Sequence, residues 1–474
     1  HLITRVPIIN LYFQIFPPIM AVLIGILTYK LVEKWTGNKA SAWWATFFVY
    51  FGGSWGWLLG KGESTFWANQ SISVLINPPY ALSLIILLFG LIKFLDYLQK
   101  PSLRNLIICS LLFGILIQIK VYAGIIVLGS LGLCLFYTKT RRELWRLLRL
   151  SMVISLAIFL PFNSRASSLL IFSPLWFPRT MLANSDRVGW FKLENARIAY
   201  LNSGKWIKWI LAEGLALTIF IFGNLGTRTI GLFYGGFLCR RKNKLSEIEV
   251  FFIGLLIFSL VIPLLFIQKG TSWNTIQFFY YFQFFMAIIA GMTMGKLVNN
   301  RFQVKHAMTV IMSILIILLT IPTTLITLKN NYLPGRPPAR ISIEELEGLN
   351  FLKKQPGGIV LSIPFNSDWR FKFSEPRPLY AYETTAYISA LSGHQSFLED
   401  EMNLEITGFD WKQRKEQAAR FFLTADQTWG REFIKTNGIK YIYLVKGQKI
   451  NLGLGDFGGR KIFENGEVSI YQVN

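Results

Sequence analysis

Residues 307–328 read AMTVIMSILIILLTIPTTLITL, and this stretch decides what kind of protein the chain is. It carries no charged residue, and an α-helix of 22 residues spans roughly 33 Å, enough to cross the hydrocarbon core of a bilayer. Pro322 lies inside the stretch, but a proline in a membrane helix more often kinks the helix than ends it. The stretch therefore predicts a membrane helix.

The two sides of this helix differ in composition. The chain of 474 residues is 52% hydrophobic, with a mean hydropathy of +0.41 and a net charge of +23. Residues 1–340 hold 33 Lys and Arg against 9 Asp and Glu, whereas residues 341–474 hold 16 against 17. We therefore predict a helical membrane domain at 1–330, a proline-rich linker at 331–340 and a soluble domain at 341–474.

Nine further apolar stretches predict membrane helices, so we expect about ten in all. They are residues 11–31, 42–59, 81–98, 106–119, 123–137, 150–161, 209–238, 250–267 and 276–294. The seventh stretch, 209–238, is interrupted by GNLGTR at 223–228. Residues 61–80 are too polar to span and too apolar for a free loop, so we interpret them as a re-entrant or interfacial segment.

The positive charges predict the orientation of the chain in a cell membrane. Lys and Arg cluster in the loops after the first, third, fifth, seventh and ninth spans, while the loops after the second, fourth and eighth hold about one each. Cytoplasmic loops carry the excess of positive charge, and long segments such as 163–208 follow that rule poorly. We therefore expect 163–208, 268–275 and the C-terminal domain to be extracytoplasmic.

The C-terminal domain shows alternating helix and strand signals. Helices are predicted at 344–354, 411–423 and 427–436, the last ending at Asn437-Gly438, which is typical of a left-handed C-cap. Strands are predicted at 359–363 and 441–445, followed by KIFE and EVSIYQV around Asn465-Gly466. This alternation predicts a small α/β domain. We find neither a glycine-rich phosphate loop nor a nucleophile elbow in it.

Several polar side chains of the membrane part lie near membrane depth on the predicted external side. They are Glu63, Arg165, Arg179, Arg187, Glu213, Lys269 and Asn274. Ionisable groups at that depth are costly and usually face a cavity or a partner. The four cations could bind the phosphate of a lipid-linked donor through charge-assisted hydrogen bonds. The alternative is that they contact lipid headgroups or pair locally, as Asp186 and Arg187 would.

The densest acidic cluster of the chain is Glu399, Asp400 and Glu401, with Glu405 and His394 nearby. Carboxylate oxygens of this kind could hold a divalent cation. The alternative is a solvated turn and helix start, where acidic residues interact favourably with the helix dipole. No other cofactor is indicated, and the three dispersed cysteines predict neither a disulfide framework nor a metal site.

Several motifs resemble bacterial membrane proteins related to the GT-C superfamily. They are the prolines and aromatics of the first span, QIKVYAG at 118–124, GNLG at 223–226, WNTIQFFYY at 273–281 and the run at 387–445. The resemblance implies a glycosyltransferase that takes sugar from a polyprenyl-phosphate donor. It also implies a catalytic carboxylate in the first external loop, yet residues 1–340 contain neither Asp-x-Asp nor Glu-x-Asp. We therefore expect either that an N-terminal part carrying the base precedes His1 or that this family member has no such base, with Glu63 as a substitute candidate.

Three functional hypotheses remain open from the sequence. The first is a membrane glycosyltransferase acting on an acceptor at the outer face by general-base catalysis. The second is a lipid or solute transporter with the interrupted seventh span along its path, although the two halves show no internal repeat. The third is a non-catalytic anchor for the C-terminal domain. Nucleic acid is not an expected partner, because the basic residues lie in short loops between apolar spans.

Overall fold

The computed structural model describes residues 5–69, 77–137, 141–163, 170–240, 244–299, 306–333 and 339–473. Contacts divide the chain into two compact units. The first lies within residues 1–164, 170–268 and 272–333, and the second holds Lys269–Thr271 and the chain after residue 333. Each unit has its own hydrophobic core.

Helices make up most of the first unit. They are α1 (Ile8–Thr36, with a π-helical turn at Leu11–Ile15), α2 (Lys39–Phe51), α3 (Pro78–Gln99), α4 (Leu103–Ile119), α5 (Val121–Tyr137), α6 (Arg141–Asn163), α7 (Trp176–Ala183), α8 (Phe191–Asn202), α9 (Trp206–Leu225), α10 (Leu232–Arg240), α11 (Glu247–Leu265), α12 (Ile276–Val298) and α13 (His306–Thr327). Two short strands, β1 (Leu170–Phe172) and β2 (Phe266–Gln268), pair antiparallel. Side chains of Asn38, Asn77 and Ser102 cap α2, α3 and α4.

Seven helices of the described chain are long and apolar enough to cross a membrane: α1, α3, α6, α9 with its continuation to Gly236, α11, α12 and α13. The predicted count of ten is not confirmed, because three predicted spans form shorter helices. These are α2, with 13 residues, and α4 and α5, with 17 each. Helix α2 stops at Phe51 because Gly52 is extended, with a ψ of 112°, and the rest of that apolar run forms a 3-10 helix at Trp55–Leu59.

The predicted interruption of the seventh span is confirmed. Helix α9 ends at Leu225, a 3-10 helix follows at Gly226–Gly231, and α10 continues from Leu232. Asn224 holds the end of α9, because its side-chain amide donates to the carbonyl of Phe66 at 2.6 Å and accepts from the amide of Ala68 at 3.2 Å. The segment 63–69, part of the predicted re-entrant segment, therefore packs against the break.

Helix α12 is the central helix of this unit, since nearly all of its residues are buried. Its closest neighbour is α2. A Cβ at Gly291 would overlap the backbone of Ala45, and one at Gly295 would overlap Ser41. Small residues four apart permit this close approach, which is a common way of packing two helices in a membrane.

Helix α13, which contains the apolar stretch at 307–328, is inverted relative to a helix of a water-soluble protein. After His306, its exposed residues are leucines, isoleucines and other apolar side chains, whereas its buried residues are threonines. The hydroxyls of Thr323 and Thr324 donate to the carbonyls of Ser54 and Phe51 at 2.7 and 2.8 Å. Hydroxyls that face the protein and hydrocarbon that faces outward are what a lipid environment favours.

The second unit combines helices and strands. Its helices are α14 (Ile343–Lys353), α15 (Trp369–Lys372), α16 (Tyr387–Ser392), α17 (Glu401–Thr407), α18 (Lys412–Leu423) and α19 (Gln427–Thr436). Its strands are β3 (Ala339–Arg340), β4 (Ile359–Ser362), β5 (Arg377–Pro378), β6 (Gln395–Ser396), β7 (Ile439–Val445), β8 (Gly459–Glu464) and β9 (Val468–Val473). Of the predicted linker 331–340, residues 334–338 lie outside the described part of the chain.

Five of these strands form one mixed sheet in the order β6-β4-β7-β9-β8. Strands β6, β4 and β7 run parallel, whereas β9 runs antiparallel to β7 and β8 antiparallel to β9. One face of the sheet packs on α18 and α19 through residues such as Leu361 and Phe433. The other face packs on α14 and α16 through residues such as Val360 and Leu349. Helices thus cover both faces, as in α/β domains generally.

Candidate functional site

Charged side chains of three helices meet at Glu213 in the membrane unit. Glu213 lies on α9 and is buried, and its Oε1 accepts from Nε of Arg179 on α7 at 2.8 Å and from Nη1 of Arg197 on α8 at 3.0 Å. Its Oε2 is buried and has no hydrogen-bond partner in the described chain. Two of the predicted residues, Arg179 and Glu213, are therefore brought together as an ion pair.

Arg197 completes this ion-pair group. Its Nε and Nη2 donate to the two carboxylate oxygens of Glu194 at 2.9 and 2.7 Å. These hydrogen bonds, with the charges of Glu194 and Glu213, raise the pKa of Arg197 above its ordinary value although burial opposes the rise. Two arginines and two glutamates balance in charge, so the group joins α7, α8 and α9 without a net charge. The side chain of Arg179 remains one-third exposed.

Arg187 occupies a separate, aromatic-lined position. Its Nη1 donates to the carbonyl of Ser64 at 2.8 Å, and its guanidinium lies 4.3 Å from the ring centre of Trp67. Its Nε is 3.4 Å from Asp186 Oδ2 but is buried and makes no hydrogen bond within the described chain. The predicted local pair with Asp186 exists, but it leaves one buried N–H of Arg187 unsatisfied.

Lys61 fixes the loop that carries Arg187. Its ammonium donates to the backbone carbonyls of Ser185, at 2.9 Å, and of Arg187 and Val188. Trp67 has a φ of +80°, which is uncommon for a large side chain. Strained backbone of this kind persists only where the surroundings hold it, and it is frequent at functional sites.

Glu63 belongs to the same neighbourhood as Arg187. It begins a 3-10 helix at Glu63–Phe66, and its Oε2 accepts from the hydroxyl of Thr327 at 3.2 Å. Glu63 and Arg187 both interact electrostatically with Tyr280 on α12. The structure therefore brings the predicted carboxylate Glu63 and the predicted cation Arg187 to one region, near the C-terminal end of α13.

Arg228 is a further cation of this region that the sequence analysis did not single out. It is 1% exposed and interacts electrostatically with Glu63. Its Nε donates to the carbonyl of Leu225 at 3.0 Å and its Nη2 to that of Asn224 at 2.7 Å. Its Nη1 is buried and has no hydrogen-bond partner in the described chain. An arginine within an apolar span was the signal that could have identified it.

Two neutral side chains near Arg228 also have buried polar atoms without partners among the described residues. They are the hydroxyl of Tyr80 and Oε1 of Gln283. Tyr80 interacts electrostatically with Arg228, and Gln283 donates to the carbonyl of Asn224 at 3.2 Å. Buried polar atoms are usually satisfied, so this concentration indicates a polar interior beside the break in the seventh span.

Three other predicted residues are Asn274, Lys269 and Arg165. Asn274 donates to Tyr122 at 2.9 Å and to Gln268 at 2.8 Å and accepts from Gln277, so it connects the QIKVYAG and WNTIQFFYY motifs. Lys269 is exposed and belongs to the second compact unit. Arg165 lies outside the described residues.

The acidic cluster of the second unit is divided among different partners. Glu399 accepts from the amides of Ile388 and Ser389 and from the hydroxyl of Ser396, and Glu401 pairs with Lys415 at 2.7 Å. Asp400 caps α17 and binds Asn403. His394 contacts the carbonyls of Leu352 and Gly358. In the described part of the chain, no three His, Cys, Asp or Glu side chains are arranged to hold a metal ion.

No protein-family model and no curated protein matches this sequence. Similar solved structures include the archaeal oligosaccharyltransferase AglB from Archaeoglobus fulgidus with an inhibitory peptide and a dolichol-phosphate, at 12% identity and a TM-score of 0.46 over 91% of this chain and 58% of that one. The oligosaccharyltransferase of A. fulgidus tethered to an acceptor peptide matches at 13% identity and a TM-score of 0.48, over 91% of this chain and 57% of that one. The apo form of that enzyme matches at 14% identity and a TM-score of 0.46, over 92% of this chain and 58% of that one. This chain spans less than three-fifths of those enzymes, and TM-scores below 0.5 do not establish a shared fold.

Proposed function

We propose that this protein is a membrane glycosyltransferase that moves a sugar from a polyprenyl-phosphate donor to an acceptor at the outer face. The main support for this proposal is a group of charged residues in the membrane unit. In a unit with seven membrane-length helices, Glu63, the buried Arg228 and the half-buried Arg187 occupy one region, and each arginine has a buried N–H that no described residue accepts.

The energetics favour an anionic ligand in this region. A buried N–H without an acceptor costs about 1–3 kcal/mol, and more when the group is charged. A phosphate offers several acceptor oxygens and a balancing charge, and it matches the geometry of a guanidinium. Binding the donor phosphate beside Arg187 and Arg228 would therefore satisfy groups that the protein leaves unsatisfied.

The roles of the residues follow from their chemistry. Glu63 is the candidate general base, which would remove a proton from the acceptor while the acceptor attacks the anomeric carbon. The bond between that carbon and the phosphate oxygen then breaks, and the arginines stabilise the negative charge on the departing lipid phosphate. Arg187 is the first candidate ligand for this phosphate. Arg179, which is bound to Glu213, together with Arg165 and Lys269, stays a weaker candidate.

Binding of polyprenyl phosphate to the full chain in detergent tests this assignment. Losing one charged hydrogen bond of about 1.5–3 kcal/mol weakens binding about ten- to a hundredfold, so we expect that loss in Arg187→Ala. Arg187→Lys should recover only part of it, because an ammonium lacks the guanidinium fork. Glu63→Gln should bind the lipid normally but lose sugar transfer. Arg104→Ala, at an exposed arginine on α4, is the matched control.

The outcome that would contradict the proposal is equally specific. If Arg187→Ala and Arg104→Ala bind polyprenyl phosphate within threefold of the parent, Arg187 serves only to fix the loop against Trp67. If Glu63→Gln also retains transfer, Glu63 is not the base.

A transporter remains the second candidate because of one feature. The seventh span is discontinuous at Gly226–Gly231, and broken membrane helices line the substrate sites of many transporters. Reconstituted vesicles separate the two functions. A transferase forms a new glycosidic product, whereas a transporter changes the location of a lipid or solute without changing its chemistry.

A further inference from the structure

The sheet of the C-terminal unit has a topological switch point. Strand β4 comes first among its three parallel strands, and it lies between the second, β6, and the third, β7. The connections from β4 to β6 and from β6 to β7 therefore leave in opposite directions. In sheets of this kind, ligands bind in the crevice at the carboxyl ends of the strands at the switch point.

A crevice lies at that position in this unit. Ser362 and Ile363, at the end of β4, line it together with Val445 and Gln448, at the end of β7. Its free volume is about 40 Å³. A water molecule needs at least roughly 10–15 Å³, so the crevice has room for a small group.

The crevice is acidic. Glu383, Glu399, Asp400 and Glu401 line it, and no lysine or arginine of the described chain does so. Glu399 and Asp400 are already engaged by backbone and side-chain donors. A phosphate or another anion would be repelled here, whereas a cation would be attracted.

Glu401 provides the main evidence that the crevice binds a ligand. It is only 8% exposed, and Lys415 binds its Oε2 at 2.7 Å. Its Oε1 is buried and has no hydrogen-bond partner among the described residues. A buried carboxylate oxygen without a donor is costly, so this atom favours a ligand that brings an N–H or O–H group.

Aromatic rings complete the surroundings. Tyr380, Tyr387 and Tyr443 line the crevice, with Tyr382 and Phe365. Cations of the chain itself already lie over two of these rings, Arg377 over Tyr382 at 5.1 Å and Lys415 over Phe365 at 5.8 Å. Aromatic faces attract cations, so rings beside carboxylates favour a cationic ligand.

We propose that this crevice binds the primary ammonium group of a small amine, with Glu401 Oε1 as the acceptor. A primary ammonium brings three N–H donors, whereas a quaternary ammonium brings charge but no donor. The ammonium could belong to a free amine or to the end of a larger molecule. The proposal rests on the C-terminal unit alone and is independent of the proposed sugar transfer.

The test uses the full chain in deuterated detergent with ethylammonium as the probe, measured by saturation-transfer NMR. A ligand of three non-hydrogen atoms binds at best with a dissociation constant of millimolar order. Glu401→Gln should weaken binding about tenfold or more. Lys415→Met should strengthen it several-fold, because it removes the cation that competes for Glu401. Glu432→Gln, which removes an exposed acidic residue of α19, should change nothing.

Competition identifies the chemistry. Ethanol and tetramethylammonium should not displace ethylammonium, because the first lacks the charge and the second lacks the N–H donors. Equal binding to Glu401→Gln and to the parent would overturn the proposal, as would unchanged binding to Lys415→Met. Displacement by calcium at lower concentration than by a second amine would identify a metal site and overturn it too. An aminated resin should capture the protein if the natural ligand presents its ammonium at the end of a larger molecule.

Discussion

At the scale of single residues, the buried Glu345 of α14 shows how one carboxyl can make the C-terminal unit sensitive to pH. Glu345 is 5% exposed, and the hydroxyl of Tyr443 donates to it at 3.4 Å. Burial raises the pKa of Glu345 above its ordinary value, although hydrogen bonds from Tyr387 and Tyr443 oppose the rise. Folding therefore favours the protonated form of Glu345 more than the unfolded chain does.

This shift predicts a stability change with a definite sign. A carboxyl with a raised pKa in the folded state stabilises the fold below its unfolded pKa, near 4.5, and that contribution is lost as the pH rises through the folded value. We expect Glu345→Gln to be more stable than the parent at pH 7.5 and equally stable below pH 4.5, because the glutamine cannot ionise. Hydrogen exchange of Ile343–Lys353 and Ile439–Val445 in the full chain measures this difference.

The control for this prediction lies on the same helix. Glu347 is an exposed acidic residue of α14, so Glu347→Gln makes the same chemical change without burial. Protection of α14 and β7 should not differ between Glu347→Gln and the parent at either pH. A Glu345→Gln variant that is less stable than the parent at pH 7.5 would mean that the ionised form is favoured.

At the scale of elements, the break in the seventh span depends on Gly226. Its φ is +56°, and an added Cβ would overlap the carbonyl of Gly53. Residues with a side chain rarely adopt this conformation, and the cost is about 1–3 kcal/mol. Gly226→Ala should therefore lower the thermal midpoint of the protein in detergent.

Gly235 provides the matched comparison within the same span. It lies in α10, and beyond its chain neighbours and the nearby backbone of its own helix no described atom lies within 4 Å of the position that its Cβ would occupy. Alanine there should be neutral or stabilising by up to about 1 kcal/mol, because alanine favours a helix interior over glycine. The thermal midpoint of Gly226→Ala should therefore fall below that of the parent, whereas that of Gly235→Ala should not. Equal thermal midpoints for Gly226→Ala and Gly235→Ala would indicate that the conformation of Gly226 does not limit the stability of the protein.

Apolar length predicted the elements of the membrane unit better than it predicted their ends. Seven of the predicted spans correspond to long helices, because an uncharged run of about twenty residues has few other structures available in a membrane. The end of α2 at Phe51 depends on the conformation of Gly52, which hydropathy does not report. Strand β6 has two residues and therefore no periodicity to detect.

The candidate site was predictable only in part, because its contacts depend on tertiary packing. Glu63, Arg179, Arg187 and Glu213 could be selected because a charge near an apolar span is costly and conspicuous. Arg197 could not be distinguished from other basic residues of an amphipathic helix until its contacts with Glu194 and Glu213 were known. Which charges meet depends on tertiary packing, and a single sequence does not specify that.

At the scale of the whole molecule, the distribution of charge predicts how the chain is oriented in the membrane. Contacts within the chain carry no information about that orientation. The excess of Lys and Arg lies before residue 341, and the C-terminal part is nearly neutral. Cytoplasmic loops carry the excess of positive charge, so we expect the loop that precedes α4 on the inner side and residues 341–474 on the outer side. The proposed function depends on this orientation, because the acceptor is expected at the outer face.

Labelling with a membrane-impermeant maleimide tests the orientation in intact cells. With Cys109, Cys134 and Cys239 replaced by alanine, Lys446→Cys introduces a thiol at an exposed position of the C-terminal unit, and Arg104→Cys introduces one at the start of α4. We expect the first variant to be labelled in intact cells and the second only after lysis, because the reagent cannot cross the bilayer. Complete labelling of both after lysis controls for accessibility. The reverse pattern in intact cells would contradict the orientation, and an acceptor at the outer face would then have no access to residues 341–474.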